Sequence, residues 1–319
     1  MNDEQPLAPA DLIYRRFGEH DLQALAVLLE QTPEVALSGD DISLAALSEQ
    51  MRWPGHSPAR DRWVVALRST PERVVGYSAI FKSPATARAD FMVVTLPSAR
   101  RRGIGSELLR LALADATALG ASDVACYVSG TDEVTPGFLS RRGFTPVAAY
   151  VELAAPGALR FPPPAWPTGF IVRSVTGERD IAALVEASNR GYEGLWGHNV
   201  SSAENWSRWL NEMDITGISL LFDPAGAVAG IVRAEVRERD GARVGVVDAP
   251  GVVGQWRGAG LYRLLLLQAL SRLIPRDLAE YRIESWGDDP AVIEEYIALG
   301  FARSRQDTHY RRRLAGEGA

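Results

Sequence analysis

Cysteine is almost absent from this sequence, which has one, Cys126, among 319 residues. A single thiol cannot form a disulfide within the chain, so the sequence is not that of a small, disulfide-stabilised secreted protein. Cys126 lies in the apolar run 124–128, which predicts a buried strand. We therefore expect a packed, inert thiol rather than a nucleophile.

Long apolar runs are also absent. Arg263, Gln268 and Arg272 interrupt the longest one before it reaches the length needed to span a membrane. The first residues, 1–6, are polar and acidic and lack the basic and apolar blocks of a signal peptide. These absences predict a cytoplasmic protein that does not bind membranes.

The sequence has no excess of positive charge. Its formal net charge is −6 and its pI is about 5.4, which gives no support to nucleic-acid binding. With 46% hydrophobic and 23% charged residues it has the composition of a globular protein, and 319 residues predict about two domains. Basic clusters are thus local features, which favours a small anionic ligand.

One such cluster follows a predicted strand, 91–96, and leads into an apolar helix that begins near Leu108. Its residues are Arg100, Arg101, Arg102, Gly103, Ile104 and Gly105. A glycine turn at a helix N-terminus presents free backbone N–H groups and the positive end of the helix dipole. This arrangement binds phosphate or pyrophosphate.

The arrangement occurs twice. A second basic glycine loop, consisting of Arg257, Gly258, Ala259 and Gly260, precedes the leucine-rich helix 264–270. The two loops are 157 residues apart, and the same spacing joins Gly143-Phe144 to Gly300-Phe301. One ungapped spacing that aligns a loop, a helix and a distant dipeptide predicts two copies of one domain.

The order of predicted elements in each copy sets the fold class. A strand, two helices, three strands, a helix, a strand, a helix and a strand predict an α/β fold with a mixed sheet. We expect an N-terminal domain at 1–155, a semi-rigid proline-rich linker at 156–168 and a C-terminal domain at 169–319.

The second helical region of the C-terminal copy is rich in aromatic residues, with one histidine among them. Two interpretations are open: these side chains pack on the core, or they form the wall of a substrate pocket. The residues are Tyr192, Trp196, His198, Trp206 and Trp209.

Together these features resemble the GNAT superfamily of acyl-CoA-dependent N-acyltransferases. The motif Arg-x-x-Gly-x-Gly between strand and helix and the later Gly-Phe carry the resemblance, and the two copies resemble the tandem arrangement of the mycothiol synthase type. The resemblance implies that both loops hold the pyrophosphate of acetyl-CoA. It also implies that the preceding strands hold the pantetheine arm, through Val93 and Val94 in the first copy and Val252 and Val253 in the second.

The two copies depart from the family pattern in opposite ways. The last glycine of the first loop, Gly105, corresponds to the bulky Tyr262 in the second. Conversely, the family's tyrosine that protonates the leaving thiolate corresponds to Tyr296 in the second copy and to Leu139 in the first. The resemblance therefore implies that the second copy is catalytic, with Tyr296 as general acid.

A substrate ammonium must also lose a proton before it attacks, which requires a carboxylate or a water chain. Strand carboxylates of the second copy, Glu284, Asp248 and Glu235, are candidates, and in the first copy Asp90 and Glu133 are weaker ones. We select Glu284 and Asp248 together with Tyr296 as the catalytic set.

The sequence thus predicts a monomeric or homodimeric enzyme that transfers an acetyl group from acetyl-CoA to a primary amine of a small molecule, without a metal ion. Two alternatives are open. One is a non-catalytic acyl-CoA-binding or regulatory protein, and the other is an acetyltransferase that acts on protein lysines or N-termini.

Overall fold

The computed structural model describes residues 9–36, 42–52, 56–82, 87–196, 198, 200–212, 214–239 and 241–314. The chain divides into two compact units. The first comprises residues 1–147 and 308–319, and the second comprises residues 148–307.

The described residues form twelve strands and ten helices longer than a single 3₁₀ turn. The strands are β1 (Leu12–Arg16), β2 (Arg62–Leu67), β3 (Thr70–Lys82), β4 (Arg88–Thr95), β5 (Asp123–Ser129), β6 (Thr145–Pro156), β7 (Ile171–Ser174), β8 (Ile218–Phe222), β9 (Val228–Arg239), β10 (Ala242–Val252), β11 (Glu280–Trp286) and β12 (Ala302–Arg313). The helices are α1 (Leu22–Glu30), α2 (Pro33–Ala36), α3 (Leu44–Gln50), α4 (Pro58–Asp61), α5 (Ile104–Ala118), α6 (Thr135–Ser140), α7 (Ile181–Gly191), α8 (Ala203–Glu212), α9 (Leu261–Leu273) and α10 (Pro290–Ile297).

The first unit has the strand order β1-β2-β3-β4-β5. Its strands pair antiparallel up to β4, and β4 pairs parallel with β5 because helix α5 forms the crossover between them. Helix α5 buries a stripe of apolar side chains at helical spacing, namely Ile104, Leu108, Leu109, Ala112 and Ala116.

The second unit repeats this pattern. Its strands follow the order β7-β8-β9-β10-β11, again with one parallel pair, β10 with β11, joined through helix α9. The mixed α/β fold predicted from the sequence is confirmed.

The third strand of each unit has a glycine where the crossover helix packs closely on it. A Cβ on Gly76 would lie 2.8 Å from Ile104 and 3.1 Å from Leu108, and a Cβ on Gly230 would lie 2.8 Å from Leu265. Leu108 and Leu265 are 157 residues apart, so the sequence spacing corresponds to the same helix-on-strand contact. Any larger residue at either glycine would push the helix away from the sheet.

The compact units differ from the predicted boundaries at two strands. The end of β6, from residue 148, lies in the second unit, where Leu153 pairs with Ile283 of β11. The end of β12, from residue 308, lies in the first unit, where Arg311 donates to Asp123 of β5 at 2.9 Å. Strand pairing thus decides which unit each segment belongs to, and no change of composition in the sequence marks these boundaries.

The proline-rich segment after β6 is irregular and packs on the core of the second unit. Phe161 stacks on Phe301, with ring centroids 5.6 Å apart, and contacts Tyr281 edge-on. The Gly157 N–H donates to the carbonyl of Ala279 at 2.9 Å. The segment expected to be a linker is therefore held along the second unit.

A buried aspartate stabilises the turn between the first strand and the first helix in each unit. Asp21 accepts two hydrogen bonds of 2.6 Å from Arg15, and Asp180 accepts from Arg173 and, at 2.8 Å, from the Thr176 N–H. Burial alone would raise the pKa of Asp180, but these hydrogen bonds outweigh it and leave the pKa below its ordinary value.

We expect Asp180→Asn to lower the free energy of unfolding at pH 7 by about 2 kcal/mol, because charge-assisted hydrogen bonds are lost. A carboxylate whose pKa is lowered by folding stabilises above its unfolded pKa and loses that contribution as the pH falls through its folded pKa. The difference between the variant and the wild type therefore declines below about pH 4. Urea unfolding at several pH values measures it, with exposed Glu178→Gln as the unchanged control.

Candidate active site

In each unit the parallel strands pair only at their beginning and then part. The last pair of the β10–β11 ladder is Asp248 with Glu284, and the last pair of the β4–β5 ladder is Asp90 with Ala125. Beyond these pairs, the facing edges of the strands have no partner strand among the described residues. Such an edge offers backbone N–H and C=O groups to a bound ligand.

The predicted pantetheine residues lie on these parted strands. Val93 and Val94 keep their regular pairing with β3, whereas in the second unit the β9–β10 register shifts between Asp248 and Gly251. Pro250, which cannot donate to a ladder, predicts this break. Val252, with Val253 next to it, lies immediately beyond the break.

Helix α7 packs on β10 at this register shift. A Cβ on Gly251 would lie 2.9 Å from the ring of Tyr192, and a Cβ on Gly191 would lie 3.1 Å from the backbone of Gly251. The Tyr192 hydroxyl donates to the carbonyl of Ala249 at 3.1 Å. The two glycines thus allow an aromatic side chain to lie across the point where the strands part.

A cavity of about 370 Å³ opens at this point in the second unit. Strands β9, β10 and β11, the residues after α7 and the turn before α10 supply its lining. The lining residues are Tyr192, Leu195, His198, Arg233, Arg237, Asp248, Ala249, Glu284, Trp286 and Asp288.

Two of the predicted catalytic residues, Asp248 and Glu284, meet in this cavity, and each pairs with an arginine. Arg233 donates to Asp248 at 2.6 Å, and Arg237 donates to Glu284 at 2.9 Å. Arg237 also donates to Glu235 at 2.6 Å. Burial raises the pKa of Glu284, while Arg237 opposes that rise.

Sequence reasoning missed Asp288, a third carboxylate in the cavity. It accepts a hydrogen bond of 2.7 Å from the hydroxyl of Ser285, which is fully buried. Burial raises the pKa of Asp288 to about 6, against the opposing effects of Ser285 and Arg257. One feature of the sequence could have indicated Asp288. It follows Gly287, which the 157-residue spacing aligns with Gly130 of the first copy. The residue that aligns with Asp288 itself is Thr131.

Tyr296, the predicted general acid, does not line the cavity. It is fully buried on helix α10, and its hydroxyl has no hydrogen-bond partner among the described residues. Burial holds its pKa well above the ordinary value, and the negative charge of Asp288 adds to the rise. A buried hydroxyl without a partner is costly, so packing alone does not explain this tyrosine.

Both glycine loops have the backbone of an anion site. Gly103 and Gly260 have φ of +81° and +73° and immediately precede helices α5 and α9. A Cβ on either residue, or on Gly258, would meet no atom within 4 Å, so the space beside the loop is open. Together with the N-termini of helices α5 and α9, these loops fit a pyrophosphate.

The first arginine of each loop folds back onto the protein. Arg100 donates to the carbonyl of Thr95 at 3.2 Å, and Arg257 donates to the carbonyl of Val252 at 3.0 Å, the matching residue. The remainder of the Arg100 guanidinium forms two hydrogen bonds of 2.8 Å with Glu34. Both arginines thus fix the loop to the preceding strand, whereas Arg101 is exposed.

Tyr262 occupies the first turn of α9, where the first unit has Gly105. Its side chain is 7% exposed, and burial raises its pKa. In the first unit a Cβ on Gly105 would be 3.9 Å from Phe138, so an aromatic ring from α6 takes up part of that space.

The first unit lacks the charged cavity residues. In the first unit, Ala79 lies three residues after Gly76 and pairs across the strands with Met92. In the second unit, Arg233 lies three residues after Gly230 and pairs with Asp248. Tyr127 stands in β5 where the 157-residue spacing places the second strand carboxylate. The weaker candidates of the first unit, Asp90 and Glu133, have exposed side chains, and Leu139 is buried in the core.

The aromatic residues of the second unit divide between the two interpretations. Trp206 and Trp209 pack on the core, whereas Tyr192 and His198 line the cavity. Trp196 lies beside Gly287, where a Cβ would be 3.3 Å from its backbone nitrogen.

None of the helices in the described ranges is long and apolar enough to cross a bilayer.

Comparison with known proteins agrees with this architecture. The model of the family described as "Acetyltransferase (GNAT) family" matches residues 26–144, within the first unit. Mycothiol acetyltransferases of Tsukamurella paurometabola and Catenulispora acidiphila are 27% and 28% identical to this chain. Those alignments cover 84% and 93% of this chain and 94% and 97% of the relatives.

Solved structures share the fold over nearly the whole chain. A GCN5-related N-acetyltransferase from Sphaerobacter thermophilus has a TM-score of 0.70 at 19% identity, covering 97% of this chain and 98% of that one. A tandem GNAT protein from the clavulanic acid biosynthesis pathway has a TM-score of 0.62 at 18% identity, covering 96% and 100%. The family model thus matches the first unit, and over most of its length the chain is similar to mycothiol acetyltransferases and shares the fold of tandem GNAT proteins.

Proposed function

We propose that the second unit transfers the acetyl group of acetyl-CoA to a primary amine of a small molecule. The observation that carries the proposal is the charged cavity at the end of the β10–β11 ladder, in the unit that also holds the buried, unpartnered hydroxyl of Tyr296. The names of the relatives support an acetyltransferase with a small-molecule acceptor. A cavity of about 370 Å³ suits such an acceptor better than a protein chain.

The residues would divide the work as follows. The loop around Gly258 and Gly260 holds the pyrophosphate, and the parted edge of β10 at Val252 and Val253 holds the pantetheine arm. The bound thioester supplies the acetyl group. Tyr296 keeps a proton on its oxygen at neutral pH and gives it to the leaving sulfur.

The strand carboxylates would receive the acceptor. Asp248 and Glu284 lie at the end of the ladder, where an amine entering the cavity reaches the parted strands. Their arginine partners fix both groups in direction, so that they orient an ammonium that enters the cavity.

The first unit would bind coenzyme A without turnover. It keeps the glycine loop and the parted strands but has Ala79, Met92, Tyr127 and Leu139 where the second unit has charged or proton-donating residues. This assignment leaves one catalytic unit and one binding unit in the chain.

Calorimetric titration of acetyl-CoA into matched loop variants tests the assignment. We expect Gly260→Glu to weaken binding to the second unit by about 100-fold and to abolish turnover, because it places a carboxylate beside the pyrophosphate. Gly103→Glu should remove any second binding event and leave turnover unchanged. Gly260→Gln and Gly103→Gln impose the same strain at positive φ without the charge, and separate the two effects.

The outcomes discriminate between the functions. Loss of turnover with Gly103→Glu alone would move the reaction to the first unit. Binding by the wild type without acetylation of any amine would favour a regulatory acyl-CoA-binding protein. No binding of acetyl-CoA would overturn the proposed function.

A further inference from the structure

We propose that Asp288 is the proton acceptor of the reaction and takes the proton that the acceptor ammonium must lose. This inference rests on the proposed function, because it assigns a role within the same cavity. It differs from the assignment drawn from the sequence, in which Glu284 and Asp248 were the candidate bases.

The cavity carboxylates differ in their hydrogen-bond partners. Asp248 and Glu284 each accept a hydrogen bond from an arginine, at 2.6 and 2.9 Å. Protonation of either carboxylate would remove a negative charge that is paired with its arginine. The hydrogen bond that the structure gives Asp288 comes instead from the neutral hydroxyl of Ser285.

Asp288 is anchored by the residues on either side of it in the chain. Gly287 before it adopts φ of +91°, and Asp289 after it caps α10 by accepting from the Ala291 N–H at 2.8 Å. Ser285, which is fully buried on β11, donates to the Asp288 carboxylate at 2.7 Å. The carboxylate is therefore held in one orientation at the cavity wall, as a group that receives a proton must be.

Asp288 lies close in the chain to the proposed proton donor. It precedes Asp289, the capping residue of α10, and α10 carries Tyr296. Burial raises the pKa of Tyr296, and the charge of Asp288 adds to the rise. Asp288 also lines the same cavity as Tyr192. The proposed base and the proposed acid therefore belong to one segment, the turn before α10 and the helix itself.

Burial also gives Asp288 a suitable basicity. Its pKa is raised to about 6, so the group is ionised at pH 7 and binds a proton more readily than an ordinary aspartate. The charged and titratable groups around it come from β9, β10, β11, the glycine loop and the neighbouring helices. They are Arg233, Arg237, Asp248, Glu284, Arg257, Asp289, Tyr192, Tyr262, Tyr296 and His198.

Two protons leave the acceptor nitrogen during the reaction. The Asp288 carboxylate takes one proton from the ammonium, and the nitrogen lone pair then forms the C–N bond at the thioester carbonyl. The C–S bond breaks, and its electron pair takes the proton of Tyr296. The second nitrogen proton returns to the Tyr296 oxygen, and Asp288 releases its proton to water, so that one proton leaves per amide formed.

The test is the pH profile of kcat/KM for wild type and two adjacent variants. The probes are acetyl-CoA and a primary amine selected by wild-type turnover in a screen, with release of the coenzyme A thiol as the readout. We expect a wild-type limb that rises near pH 6. In Asp288→Asn we expect that limb to be lost and the rate at pH 7 to fall about 100-fold.

Asp289→Asn is the matched control. It removes the same charge one residue away, and asparagine still caps a helix. Since the charge of Asp289 raises the pKa of Asp288, this variant should move the rising limb to lower pH and leave the rate above pH 7 unchanged.

Three results keep the inference separate from the proposed function. An Asp288→Asn variant that keeps the wild-type rate and limb overturns the inference alone. Loss of the limb in His198→Asn instead assigns the base to the connection between α7 and α8 and also overturns it. Absence of any acetyl transfer by the wild type overturns the proposed function. Unchanged acetyl-CoA affinity and melting temperature in Asp288→Asn show that the variant folds.

Discussion

Replacing Tyr296 with phenylalanine should lower kcat about 1000-fold while leaving the affinity for acetyl-CoA within a factor of two. The hydroxyl lies on a fully buried ring, and burial holds its pKa well above the ordinary value, so it keeps its proton over the whole working pH range. In the proposed reaction, the Tyr296 hydroxyl donates this proton to the coenzyme A thiolate that leaves. Single-turnover kinetics, with the coenzyme A thiol as readout, measure the loss.

The same substitution should not weaken the fold. The Tyr296 hydroxyl has no partner among the described residues, so phenylalanine removes an unsatisfied polar atom and no hydrogen bond. We expect the free energy of unfolding to rise by about 1 kcal/mol. An inactive variant with raised stability is the signature of a group kept for chemistry rather than for packing.

Tyr281→Phe is the control for this variant. Tyr281 is 1% exposed in the same core and packs against Phe161, away from the cavity lining. It should keep full activity. Equal loss of kcat in both variants, or no loss in Tyr296→Phe, would remove the acid role of Tyr296.

The repeat explains why so much of the fold could be predicted. The loops at Gly103 and Gly260 and the helices that follow are local features, set by backbone conformation and helical periodicity within about twenty residues. Periodicity and turn residues are written in the sequence directly. The mixed sheet follows from their order, and its prediction is confirmed.

Long-range pairing lay beyond that reasoning. The exchange of strand ends between units depends on Leu153 pairing with Ile283 and on Arg311 reaching Asp123, contacts between segments more than 100 residues apart. An alternating strand can pair with either neighbour at similar cost, so composition does not decide its partner.

The sequence could predict which elements carry the site residues, but not which residues form ion pairs with them. Asp248 and Glu284 could be placed on strands near the cleft, but an arginine partner for each becomes visible only when β9 and β10 are in register. Arg257 was expected to contribute charge to a pyrophosphate. Its guanidinium instead donates to carbonyls, including that of Glu193 at 2.7 Å, because the loop turns it back toward the end of α7.

The contrast between the units leads to the other large effect. Arg233→Ala combined with Asp248→Met gives the second unit the cross-strand pair that the first unit has, Ala79 with Met92. We expect kcat/KM for the acceptor amine to fall about 1000-fold, mostly through a higher KM, because the charge that orients the ammonium is lost. Acetyl-CoA affinity should stay within a factor of two, since the loop at Gly258 is unchanged.

Stability measurements separate this effect from unfolding. Arg233 and Asp248 are 25% and 33% exposed, so either single variant leaves a half-buried charge without its partner and should cost about 1–2 kcal/mol. The double variant removes both charges and should be more stable than either single one. Removing the exposed pair Glu186 and Arg190 on α7 is the control and should leave activity unchanged. If the double variant keeps the wild-type KM, the ion pair is structural only, and the proposed inactivity of the first unit would have to come from Leu139 instead.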